Sequence, residues 1–196
     1  KRTVLANGKC KSGKDETAYV SQILKEIVSK IPESIRLPRR MLGDIFLKRG
    51  TINSFNHLKL GQSPVRLMCF NESAGALQAK FVAENVTFSY DWVYGDDETW
   101  GTATVPPQKV YVDLDIQQMF DSELPTLLGL YVSDFTNTKF EVDVAGFKVE
   151  HNEDLFKHQV RITTKTALLR DAEVALTMHL TPKLDKYLRS KPLTFK

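Results

Sequence analysis

Between Asp15 and Pro32 the apolar residues Tyr19, Val20, Ile23, Leu24, Ile27, Val28 and Ile31 recur at steps of three and four, while Lys25, Glu26 and Lys30 fall on the other side. That spacing predicts an amphipathic helix. Asp15 is its expected N-cap, Glu16 sets a carboxylate against the positive end of the helix dipole, and Pro32 ends it. Ile35 to Arg40, with Pro38, reads as a connector. From Leu42 onward the pattern turns extended, broken at Gly50, Gly61, Pro64 and Gly75.

The clearest strand runs from Leu77 to Tyr94. Leu77, Ala79, Phe81 and Ala83 alternate on odd numbers, and Val86, Phe88, Tyr90, Trp92 and Tyr94 continue on even ones. A bulge at Glu84-Asn85 keeps both sets on one face and bends the strand. Val110, Val112, Leu114 and Ile116 alternate against polar neighbours, as do Phe140, Val142 and Val144, which predicts two more half-buried strands. Gly95 to Glu98 and Pro106-Pro107 are expected turns. From Leu155 the helical period returns: Leu168, Leu169, Ala172, Ala175, Leu176 and Leu180 form a stripe that Leu184, Tyr187 and Leu188 extend past a kink expected at Pro182. The order is helix, strands, helix. Long strands wet on one side suit an antiparallel sheet that curls over something apolar, an α+β arrangement.

Composition changes this picture little. A chain of 196 residues with 42% hydrophobic content buries one sizeable core, so one domain over 1–196 is expected, with 1–14 as a basic tail. The net charge of +3 is mild, and Lys1, Arg2, Lys9, Lys11 and Lys14 carry much of it. No face interleaves cations with aromatics as nucleic-acid binding requires. Arg36, Arg39 and Arg40 form the one other basic cluster, a candidate contact for an anionic partner or headgroup. No apolar stretch approaches the roughly 18 to 20 residues that span a bilayer, which predicts a soluble chain. The start at Lys1 and the sequons Asn71-Glu72-Ser73 and Asn85-Val86-Thr87 point to a secreted, glycosylated protein. Cys10 and Cys69 are compatible with one disulfide, or with two thiols. His57, His151, His158 and His179 are too dispersed to join them in a metal site.

Gly8-Lys9-Cys10-Lys11-Ser12-Gly13-Lys14-Asp15 follows the phosphate-loop pattern up to its last position, where Asp15 replaces the hydroxyl that should bind Mg²⁺. No buried strand precedes it, so a nucleotide site is not expected. No Gly-x-Ser-x-Gly is present to mark a hydrolase nucleophile. His151 and His158 read as loop histidines, and Asp96-Asp97 and Asp113 with Asp115 as solvated carboxylates. What remains is the continuous apolar face.

The stripe Val20 to Ile31, the strand start Gly43-Asp44-Ile45, the long bulged strand Gly75 to Tyr94 and the ending Leu180-Thr181-Pro182-Lys183-Leu184-Asp185-Lys186-Tyr187-Leu188-Arg189 resemble the tubular lipid-binding superfamily. That superfamily includes the bactericidal/permeability-increasing and juvenile-hormone-binding proteins, and the likeness is nearest to the group-seven house-dust-mite allergens. The resemblance covers nearly the whole chain. It implies a strongly curved antiparallel sheet rolled around a long C-terminal helix, beside an N-terminal amphipathic helix. It further implies an apolar tunnel or groove that holds a lipid or other hydrophobic small molecule without a cofactor or metal. On that basis Val20, Leu24, Ile27, Phe81, Phe88, Tyr90, Trp92, Leu114, Phe140, Leu169 and Leu176 are candidate lining residues. The expected function is extracellular carriage of a hydrophobic ligand, with no catalysis. The alternative is a secreted protein- or glycan-binding, immune-modulating module with a filled core, using the Arg36 to Arg40 cluster or the turn Trp92 to Trp100.

Overall fold

The computed structural model describes residues 12–71, 74–95, 99–119, 124–135, 141–146, 153–191 and 193, without the side chains of 71, 133–135, 153, 168 and 169. Helix α1 spans Thr17–Val28. Among the described residues nine strands follow: β1 Ser34–Arg36, β2 Arg40–Leu42, β3 Ile45–Asn53, β4 Leu58–Leu60, β5 Met68–Asn71, β6 Ala74–Tyr94, β7 Trp100–Met119, β8 Thr126–Phe135 and β9 Glu141–Gly146. Helix α2, Glu153–Ser190, closes the order. All pairings are antiparallel, on the path β1-β3-β6-β7-β8, with β2 on β3, β4 and β5 on β6, and β9 on β7. The sheet curls without closing, and α1 and the bent α2 accompany it, which is the α+β class expected.

Helix α1 buries a straight stripe, Val20, Ile23, Leu24 and Ile27. It starts at Thr17, later than expected: Glu16 occupies the N-cap, and Asp15 accepts the Thr17 N–H at 2.9 Å. It stops at Val28, four residues before Pro32. Two turn bonds, Lys30 N–H to the Ile27 carbonyl and Ile31 N–H to the Val28 carbonyl, still deliver Ile31 into the core.

Helix α2 behaves differently. Its buried residues include Phe156, Val160, Thr164, Ala172, Leu176, Leu180, Leu184 and Leu188, all on one four-residue ladder. Four residues advance about 400°, so such a stripe drifts about 40° per step and travels about 320° round the axis over this span. A helix with that pattern has no single wet side, and successive turns must be covered from different directions. α2 accordingly contacts β8, β9, β3, β7 and α1. Its C-terminal half is tied to α1: Lys183 donates to the Lys30 carbonyl just beyond α1, and the Tyr19 hydroxyl donates to the Lys191 carbonyl at 2.8 Å. The helix continues through Pro182, whose ring takes one hydrogen bond from the ladder. No helix among the described residues is long and apolar enough to cross a membrane.

Three strand expectations need correction. The connector Ile35 to Arg40 supplies β1 and the start of β2. Pro106-Pro107 is no turn, because β7 runs through it for 20 residues. The prolines are tolerated because the ladder is interrupted on both sides. The β6 register slips between Val86 and Phe88, opposite Gln108 and Val105, while β8 pairs only from Val110 and β9 only up to Thr104. β8 has no counterpart in the sequence reading. The bulge at Glu84-Asn85 is present: the register shifts between Ala83 and Val86, and Asn85 sits at φ 59.

A second bulge interrupts β3, where Arg49 and Gly50 face Tyr90 alone between the Lys48–Asp91 and Thr51–Ser89 pairs. A Cβ on Gly50 would lie 2.2 Å from Tyr90 Cε1, so only glycine lets the strand pass over the ring.

Two stability outcomes follow. Leu180→Ala and Leu184→Ala should each cost about 2–5 kcal/mol in urea unfolding, whereas Met178→Ala on the back of the same turns should cost less than about 0.5 kcal/mol. Gly50→Ala should cost about 1–3 kcal/mol through overpacking, seen as a lower urea midpoint at unchanged slope.

Candidate ligand groove

The expected lining residues are core in this structure. Val20, Tyr90, Trp92 and Leu176 are 0% exposed, Phe81, Phe88 and Leu114 are 1%, and Ile27 and Leu24 are 2% and 8%. At that exposure these side chains belong to one packed hydrophobic cluster. Phe140 and the side chain of Leu169 lie outside the described residues. Trp92 meets Phe156 at 5.4 Å with the rings tilted by 52°, and Tyr94 meets the same ring edge-on at 5.0 Å, which joins β6 to the start of α2. Two polar atoms in this interior, Trp92 Nε1 and Thr164 Oγ1, are buried without a hydrogen-bond partner.

One accessible apolar groove lies where the strap between β1 and β2 crosses α2. Arg36, Leu37 and Pro38 on one side, and Asp171, Val174, Ala175, Met178 and His179 on the other, enclose a mainly apolar groove of about 380 Å³. Val174 and Met178 are 49% and 70% exposed, although both are large apolar residues on a helix. The strap is fixed at two points: Leu37 N–H donates to the Gly50 carbonyl at 2.8 Å, and the Pro38 carbonyl accepts the Tyr90 hydroxyl at 3.0 Å.

Beneath the groove lies a buried charge. Asp171 is 2% exposed and accepts two bonds from Arg40 Nε, at 3.1 and 3.0 Å, and one from Nη2 at 2.7 Å. The Tyr90 hydroxyl lies 3.3 Å from its Oδ2. Burial, and then the Asp171 carboxylate, raise the Tyr90 pKa, so the phenol stays neutral. Hydrogen bonding to Asp171 raises that of Arg40. Of the three arginines expected at an anionic partner, Arg40 is therefore engaged by Asp171, through a fork that matches the carboxylate. Arg36 lines the groove and Arg39 is exposed beside it. His179, also in the groove, has its pKa lowered by burial and by Lys183, which keeps the ring neutral at pH 7.

The remaining sites separate from this groove. Asn85 is exposed at the β6 bulge, and Asn71 ends β5 with its side chain outside the described residues. Cys69 is half-buried on β5 opposite Gly75, and no described cysteine is free. Cys10 lies outside the described residues. The glycine-rich stretch does not cradle phosphate at its described end. Gly13 N–H is donated to the Leu67 carbonyl at 2.7 Å, and Lys14 pairs with Glu16 at 2.9 Å. His57 and His158 are exposed, and His151, Asp96 and Asp97 lie outside the described residues. Asp113 faces outward toward Lys80 at 3.7 Å. Sequence reasoning missed the groove because its walls meet only through the fold. Its one local signal was the pair Val174 and Met178, four residues apart on the polar side of the stripe.

No family model and no curated protein match the chain. Among solved structures it is similar to one titled "Crystal structure of lipopolysaccharide binding protein", at 13% identity and a TM-score of 0.39, over 94% of this chain. The chain spans 43% of the length of that one.

The Arg40–Asp171 pair yields an asymmetry. Arg40 is 45% exposed and recovers water when its partner is lost, whereas Asp171 cannot. Arg40→Met should therefore lower the urea midpoint more than Asp171→Asn, and the double variant should recover part of the Arg40→Met loss. Additive effects in that cycle would show that the pair is not coupled.

Proposed function

We propose that this protein binds a lipid or other hydrophobic small molecule, and that the molecule lies along the groove between the β1–β2 strap and α2. The carrying observation is the groove itself. At about 380 Å³ it falls within the roughly 300–1,000 Å³ of small-ligand sites, and its wall is the adaptable, exposed Met178. Arg36 and His179 at the same groove supply a place for a polar or anionic head. The resemblance of the sequence to the tubular lipid-binding superfamily, and within it to the group-seven mite allergens, belongs to this reading. So does the absence of a catalytic role: binding by burial requires no cofactor.

In the same reading the chain is one secreted domain, with a glycan on exposed Asn85, a second sequon at Asn71, and a Cys10–Cys69 disulfide. The disulfide is supported by the antiparallel bridge Asp15–Arg66, flanked by the Gly13-to-Leu67 bond and a bond from Leu67 N–H to the Lys14 carbonyl, which pair the described start of the chain with the segment just before β5. The filled core favours a second reading, a secreted interaction or immune-modulating module, in which the sheet surface and not the interior meets the partner.

Titration with oleate and with the neutral fluorophore N-phenyl-1-naphthylamine tests the first reading. Both should bind saturably, and Val174→Asp or Met178→Asp should weaken each by at least about tenfold, the cost of roughly 1.4 kcal/mol. An anionic head beside His179 stabilises its charged form, so oleate affinity should rise as pH falls from 7.5 through the ordinary histidine value of 6.5, while fluorophore affinity stays flat. No saturable binding of either ligand overturns the reading.

A further inference from the structure

On the face of the sheet away from α1 and α2, Lys48 of β3, Asp91 of β6 and Thr102 of β7 stand in one transverse row, and Val93 and Trp100 form the next. With Arg49 and the backbone of Gly101 they enclose a second cleft of about 440 Å³. From these residues we infer that the outer face of the sheet carries a saccharide site, in which a pyranose ring lies on the Trp100 indole and its hydroxyls meet Asp91, Arg49 and Thr102.

The cleft is built by the interior. Plain alternation would send Arg49 inward after Lys48. The bulge that carries the strand over Tyr90 turns both residues outward and leaves Arg49 at φ 51, a left-handed conformation unusual for a side chain of its size. There its guanidinium pairs with Asp91, a half-buried carboxylate. A carboxylate–guanidinium pair offers acceptors and donors side by side, which vicinal hydroxyls satisfy together.

Trp100 is 49% exposed, on a strand whose other face is fully packed. An indole that keeps half its surface in water beside a polar cradle suits the C–H face of a sugar ring. Competing occupants fit less well. Asp91 neutralises Arg49, so a phosphate would find only Lys48 uncompensated. Anionic lipid headgroups would meet the Asp91 carboxylate in the same cleft. An acyl chain would desolvate the ion pair without replacing its hydrogen bonds.

The test is ¹H–¹⁵N NMR of the full chain, which has two tryptophans, with the Trp100 indole signal assigned through Trp100→Phe. Cellobiose, maltose, N,N′-diacetylchitobiose and 3′-sialyllactose are titrated separately. At least one should shift the Trp100 indole and the Thr102 amide saturably, with Kd about 1 mM. Asp91→Asn and Trp100→Ala should each weaken this at least about tenfold, with far-UV circular dichroism unchanged. The inference is overturned if no saccharide moves these signals, if the variants respond like the parent, or if only phosphatidylglycerol vesicles move them. Because the cleft and the groove lie on opposite faces, oleate binding is unaffected by either variant, and each proposal fails separately.

Discussion

The winding of the buried stripe on α2 is the constraint from which the rest of the architecture descends. A helix whose apolar positions repeat every 3.6 residues sits on a flat surface with one side in water. α2 repeats every four, and its apolar line travels nearly round the axis between Phe156 and Leu188. It is covered by different elements, with β8 and β9 among them and α1 against the same helix. That demand explains the long, bent strands better than strand propensity does. β6 carries a bulge at Asn85, and β7 is relaxed by two prolines at the facing register, so the central hairpin curves where both strands give way together. Lys183 on the Lys30 carbonyl and Tyr19 on the Lys191 carbonyl then lock α1 against the end of α2.

The same geometry places a charge where an apolar residue would be ordinary. Asp171 is buried just before the stripe reaches Ala172, and the fold answers with Arg40 from β2 and the Tyr90 hydroxyl from β6. Three elements remote in sequence are registered by one carboxylate, a role that buried ionic groups serve better than they serve stability. The effect extends outward. Tyr90 needs Gly50 beneath its ring, Gly50 accepts the strap through Leu37, and the resulting bulge turns Arg49 to the outer face. The groove and the outer cleft are thus two sides of one packing decision at Tyr90.

Periodicity made the frame legible and the sites illegible. The phase slip at Glu84-Asn85 was readable because large side chains mark both phases, and α1 because its stripe is straight. The first half of β7 was missed because its inward residues are Gly101, Ala103 and Val105, too small to register as alternation, and because two prolines ordinarily mean a turn. β8 was missed because Leu127 and Leu128 are adjacent and its register slips twice against β7. Arg40 looked like its neighbours Arg36 and Arg39. Only the strand pairing opposite Leu47 and the bonds across to α2 reveal that it is engaged by Asp171.

Whether such a roll is hollow turns on what its apolar residues touch. A tunnel needs large side chains that stop short of one another, and here Trp92 closes on Phe156 while Tyr90 closes on the strap. Opening that interior would expose surface that now has none and separate contacts at native density, a cost that grows with every ångström of cavity. The groove beside Met178 carries no such cost, since Val174 and Met178 are already accessible and Asp171, which also lines it, is already satisfied by Arg40. Across the strap and α2, by contrast, apolar surface can be covered without breaking any that is buried.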